Sequence, residues 1–246
     1  MKVLLYDGSF EGLLSAVFDA YSITEPVQII RSSIFYQDLI SIPVQVVTSK
    51  EKFGRVLKGM KKKFDLEILN NIYHVFLSEV DGADDLVFQY IKLCFLKGAK
   101  INQAKNHDTI LKIDKISNQV WKEVHRYYGF VRFKEVAELT FYAAIEPDHD
   151  ILPLIADHFV ERYSDQRFII HDLKRQQALI YNLEEAIFSD MTRQLGKEIE
   201  NSSNDERFQT LWKSFYASVN IEERKNEKLR RQLMPKRYWR HLTEMQ

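Results

Sequence analysis

The chain has 246 residues, 45% of them hydrophobic, with 35 acidic and 35 basic side chains in balance. That apolar content supports a packed core in one large domain or two modest ones, and it excludes a disordered or fibrous protein. The single cysteine, Cys94, excludes a disulfide framework, and no apolar run approaches the ~20 residues of a membrane span or forms a signal-peptide core, so a cytoplasmic protein without a membrane partner is expected.

The run Val3-Leu4-Leu5-Tyr6 reads as a short buried strand that Asp7-Gly8-Ser9 turns into a helix. In that helix Phe10, Leu13, Leu14, Val17, Phe18 and Tyr21 recur at helical spacing, and Ser9 is the expected cap. Residues 27–30 and 44–47 are β-branched runs bounded by Pro or Ser, and they complete a small N-terminal strand and helix layer. Residues 51–128 are helical, with faces such as Phe53/Val56/Leu57/Met60 and Leu69/Ile72/Tyr73/Phe76, and with breaks at Gly82, Gly98 and residues 102–108. Cys94 shares a helical face with Val87, Tyr90 and Ile91, which is the setting of a buried thiol.

At Gly129 the period changes to alternation. Residues 130–136 and 140–145 form an expected hairpin, and a helix over 151–163 follows with Asp150 as N-cap and Pro153 in its first turn. Residues 167–173 and 177–181 then give a second hairpin, so residues 129–182 read as an antiparallel ββαββ unit. After Leu183 the pattern returns to helix, with Phe208, Leu211, Trp212, Phe215 and Val219 on one face and residues 196–205 as a loop. The expected fold class is α/β (α+β): a core over residues 1–183, carrying the helical middle, and a helical C-terminal extension over 184–246.

The chemistry concentrates between His125 and Asp172, where four of the seven histidines fall among arginines, carboxylates and aromatic residues. Glu146-Pro147-Asp148-His149-Asp150 links a strand to a helix, where backbone N–H groups favour negative charge. His149 or His171, with Glu146, Asp148 or Asp172 as partner, is the candidate acid/base set. Arg126, Arg132, Arg162, Arg167 and Arg175 surround the same stretch, and a guanidinium fork suits phosphate or carboxylate oxygens. Ion pairs with Glu135, Glu161, Asp165 and Asp172 are their competing use. Arg132 is read as lying on a strand between Val131 and Phe133. His171 and Asp172, adjacent on a strand, point to opposite faces. No metal is expected, since neither an HExxH nor a paired-cysteine motif occurs, and no cofactor is expected; the nucleotide-binding glycine motifs and a GxSxG elbow are also missing.

Charge is uneven along the chain. From Arg224 to Arg240 eight Lys or Arg face only Glu227, a net +7, and Lys236-Arg237-Tyr238-Trp239-Arg240 interleaves cations with aromatics. Such a tail can contact phosphates and stack on bases, or it can dock through Leu229, Leu233, Tyr238 and Trp239 with its charges solvated.

Three passages resemble a bacterial family of unknown-function domains described as DNA metabolism or repair proteins: YDGSFEGLLSAVFDAY from Tyr6, HRYYGFVRF with YAAIEPDHDILPLIADHFVERYSDQRFIIHD from His125 to Asp172, and MPKRYW from Met234. The resemblance implies an accessory role in DNA processing, with a DNA-modifying radical S-adenosylmethionine protein as partner. Some members of that family are fused to a uracil-DNA glycosylase-like domain. No such segment is expected beyond Gln246, and no base-excision activity is carried over. The leading expectation is therefore a DNA-associated accessory protein whose Arg126, Arg132, Arg167, Arg175, Lys236, Arg237, Tyr238, Trp239 and Arg240 contact nucleic acid or a DNA-bound partner. An enzyme acting on a nucleotide or damaged base and a non-catalytic protein scaffold are the alternatives.

Overall fold

Val3, Leu4, Leu5 and Tyr6 are all buried, as suits a strand flanked on both edges and covered on both faces. The computed structural model describes residues 1–37, 39–201 and 231–245. It has the expected α/β architecture and divides into two units, Met1–Trp121 and Lys122–Gln246.

In the first unit β1 (Lys2–Tyr6) lies between β2 (Val27–Arg31) and β3 (Ile42–Gln45), parallel to both. The crossover helix α1 (Phe10–Ala20) buries Leu13, Leu14 and Val17, and Ser9 caps it by accepting from the Gly12 amide at 2.9 Å. β3 starts two residues earlier than residues 44–47 suggested, because Pro43 is tolerated on an exposed sheet edge. Four helices follow, as expected: α2 (Lys50–Lys63), α3 (Leu66–Leu77), α4 (Ala83–Lys97) and α5 (Asp108–Phe130), which continues into the second unit. Arg31 ties β2 to α4 and α3 through a 3.2 Å ion pair with Asp84 and a 2.9 Å bond to the Phe76 carbonyl. Cys94 is buried, and burial pushes its thiol up to about 12, which leaves it inert at neutral pH.

In the second unit β4 (Lys134–Ala137), β5 (Thr140–Ile145), β6 (Arg167–Asp172), β7 (Gln177–Tyr181) and β8 (Ala186–Asp190) form one five-stranded sheet in sequential order, with α6 (Leu152–Arg162) between β5 and β6 in the chain. The two hairpins of the ββαββ unit are antiparallel as expected, whereas β5 and β6 pair in parallel, since a strand-helix-strand crossover returns the chain in its original direction. α6 packs on one face: Phe159 and Phe133 meet at 5.8 Å between centroids, and Phe133 meets Phe168 at 5.7 Å. Leu152, Ile155, Phe159, Phe168 and Ile170 are almost fully buried, each contributing about 1.5–3 kcal/mol. Tyr142, Ala178 and Met191 form the core of the other face, against which Ile199 of α7 (Arg193–Asn201) packs.

Four local expectations are corrected. α5 runs through Gly129 to Phe130, so β4 begins only at Lys134, and Arg132 lies in the connection rather than on a strand. The N-cap of α6 is Ile151, not Asp150; Pro153 does occupy the first turn. The return to helix after Leu183 is preceded by the exposed edge strand β8. Residues 196–201 are helical rather than loop, because Ile199 and Gly196 face the sheet. The expected helical face Phe208 to Val219 and the tail residues 224–230, with Leu229, lie outside the described residues.

Candidate functional site

Glu123 is only 2% exposed, and it lies on the inner face of α5 in line with Val120, Val124 and Tyr127. A carboxylate in that position must be hydrogen-bonded on both oxygens. Its Oε1 accepts from the Asp148 amide at 3.0 Å and from the Tyr238 hydroxyl at 3.0 Å, and its Oε2 accepts from the His149 amide at 2.9 Å. The strand-to-helix turn and the C-terminal segment therefore meet on one buried charge. Tyr238 completes the joint by packing its ring against Tyr127 and Phe130, each at 5.3 Å. Burial and the Glu123 charge raise both phenols, Tyr127 and Tyr238, above their usual range, so the Tyr238 hydroxyl stays a donor. The Arg126 guanidinium sits beside that hydroxyl.

The tail's cations flank this latch. Arg237 pairs with Asp148 at 2.5 Å and lies 3.8 Å from Glu123, while Arg240 and His241 each approach Glu146 at 3.1 Å. Arg193, at the start of α7, reaches Glu146 at 4.0 Å. The acidic turn and the basic tail, which the sequence presents as separate candidates, thus neutralise each other. Trp239 donates its indole N–H to the Met234 carbonyl at 3.0 Å under the Lys236 ammonium, while Leu233 remains exposed.

Two further groups sit within the sheet. Asp172, fully buried, accepts from the Lys174 and Arg175 amides and pairs with the Arg175 guanidinium at 2.8 Å; Arg175 also bonds the Pro147 and Asp148 carbonyls. His171 is fully buried as well. Met191 O can only accept, so the Nε2 of His171 carries the proton and donates across 2.9 Å, leaving Nδ1 to accept from the Tyr142 hydroxyl at 2.8 Å. Burial lowers the His171 pKa, which favours this neutral tautomer.

Gly196 of α7 lies directly over this pair. A Cβ there would fall 2.5 Å from His171 Nδ1 and 2.6 Å from the Tyr142 oxygen. Gly196→Ala is accordingly expected to destabilise the protein by about 1–3 kcal/mol in urea unfolding, although alanine favours helix, and a neutral or stabilising result would contradict this packing.

At the edge of α7 a small cleft of about 40 Å³ is lined by Arg132, Lys134, Tyr142, Ala144, Glu200, Arg240, His241 and Thr243. Lys134 is hydrogen-bonded to Glu200, and Arg132 donates to the Gly129 carbonyl at 2.6 Å. The remaining candidates are dispersed: Arg167 is exposed at the start of β6, and His125 is exposed, with its ring edge against Tyr128 at 6.2 Å. His158 stacks on the Tyr128 ring at 4.1 Å between centroids, and His149 meets Glu123 through its amide. His125, His149 and His171 therefore contact different partners. No group of three or more His, Cys, Asp or Glu among the described residues is arranged to hold a metal ion, and no described helix is long and apolar enough to cross a membrane.

Residues 81–244, two thirds of the chain, match a family described as a domain of unknown function, DUF4130. The chain belongs to this family. No curated protein and no solved structure matches it. The Glu123 latch, the Asp172–Arg175 pair and the cleft all fall inside the DUF4130 span, whereas β1 to β3 and α1 to α3 precede it. Sequence reasoning missed Glu123, Lys134, Tyr142, Glu200, His241 and Thr243. Glu123 carried a usable signal, as an acid interrupting the apolar stripe Val120/Val124/Tyr127.

Proposed function

We propose that this chain is a DNA metabolism or repair accessory protein whose second unit takes a nucleic-acid phosphate in the cleft beside α7. The observation that carries the reading is the lining itself: Arg132, Lys134, Arg240 and His241 converge there, with Glu200 beside Lys134 and Glu146 beside Arg240 and His241. Arginine forks match phosphate oxygens, and a cleft with excess positive charge concentrates an anionic ligand. A cytoplasmic setting and a radical S-adenosylmethionine protein as a separate partner complete the proposal; they rest on the sequence resemblance.

A labelled single-stranded oligonucleotide titrated across a salt series tests it. Wild-type protein is expected to bind with an affinity that falls steeply with salt, and Arg132→Gln/Arg240→Gln is expected to weaken binding about tenfold or more at low salt. No binding at low salt, or identical binding by the double variant, would overturn the reading.

A further inference from the structure

Helix α2, KEKFGRVLKGMKKK, holds seven Lys or Arg and one acid, Glu51. Three of the cations have partners inside their own unit: Lys52 pairs with Asp19 at 2.7 Å, Arg55 lies over the Phe18 ring at 5.0 Å and Lys63 over Phe95 at 5.5 Å. Lys50, Lys58, Lys61 and Lys62 are exposed, and none of them forms an ion pair with a carboxylate among the described residues.

At ~100° per residue, Lys50, Lys58 and Lys61 fall within roughly 80° of one another around the helix, with Gly54 in the middle of their stripe and both Glu51 and Lys62 on its flank. Gly54 is exposed, and a Cβ added to it would meet nothing within 4 Å. Packing therefore does not require this glycine, and mid-helix glycine lowers helix stability relative to alanine. What it does provide is a flat strip between lysines, where another backbone can approach closely.

The chemistry of the stripe selects the partner. The apolar side of α2 is turned inward, with Met60 buried and Phe53, Val56 and Leu57 half-buried, so no face is left to enter a lipid surface. The stripe carries no aromatic ring on which an unpaired base could stack. From Lys50 to Lys61 it spans about 16 Å, roughly five base-pair steps of a duplex. We infer that α2 is a contact surface for the phosphate backbone of duplex nucleic acid, independent of base sequence. This goes beyond the cleft reading, since it uses other residues and the other strand form.

Binding of a labelled duplex of about two helical turns to the full chain, followed across a salt series, separates the two. Lys50→Gln/Lys58→Gln/Lys61→Gln is expected to reduce the slope of log K against log salt by about three, equally for two unrelated sequences. Arg132→Gln/Arg240→Gln should leave that slope unchanged while weakening single-strand binding. Gly54→Gln is expected to raise Tm yet weaken duplex binding several-fold. An unchanged slope in the triple variant, unchanged duplex binding by Gly54→Gln, or preference for phosphatidylserine vesicles over duplex would overturn the inference.

Discussion

Glu123→Ala is expected to destabilise the second unit by about 3–5 kcal/mol, because it strands a buried cluster of donors rather than deleting one contact. The Asp148 and His149 amides and the Tyr238 hydroxyl lose their acceptor together, and the nearby Arg237 loses a counter-charge. Glu123→Gln should recover only part of this, since one of its two carboxylate positions becomes an NH₂ group facing a donor. Two measurements check the result. Urea unfolding gives the free energy, and hydrogen exchange reports release of the C-terminal segment at the Tyr238 and Leu242 amides, which bond the Pro235 and Trp239 carbonyls. A loss below about 1 kcal/mol, or unaltered exchange at those amides, would show that Glu123 does not hold the tail.

The second large effect is expected at Asp172. Its side chain is fully buried and that of Arg175 is 9% exposed, so the pair is not screened as a surface ion pair would be. Asp172→Ala leaves a buried guanidinium unmatched and should also cost about 3–5 kcal/mol. Asp172→Leu combined with Arg175→Met removes both charges and should be much closer to wild type in the same urea unfolding assay. If the double variant is as unstable as the single one, the cost lies instead in the Lys174 and Arg175 amides and in the Pro147 and Asp148 carbonyls that the pair serves.

The two units differ in how far their charges can be traced along the chain. In the first, the Asp7 carboxylate accepts from Ser9 and from Thr48 at the start of α1, and Asp7 to Ser9 is a local turn that the order of residues already implies. In the second, Arg175 meets Asp172 three residues away, yet also reaches Pro147 and Asp148 across the sheet. Competition between anion binding and ion pairing was readable for these arginines. The winner at each one depended on which carboxylate the fold delivered.

Apolar periodicity determined the buried thiol and, as far as β7, the order of strands and helices, and the Asp7-Gly8-Ser9 turn determined the Ser9 cap, because each depends on neighbours within a turn or two of chain. The extent of α5 and the parallel pairing of β5 with β6 needed the tertiary structure, since Gly129 alone does not stop a helix that is packed on both sides of it. The same holds for the acid and basic clusters. Tyr238 finds Glu123 across 115 residues and Arg240 finds Glu146 across 94, and nothing in local spacing encodes a partner that far away. Sequence alone defined which side chains carry charge; the assembly of the sheet and the return of the tail decided which of them remain to face a ligand.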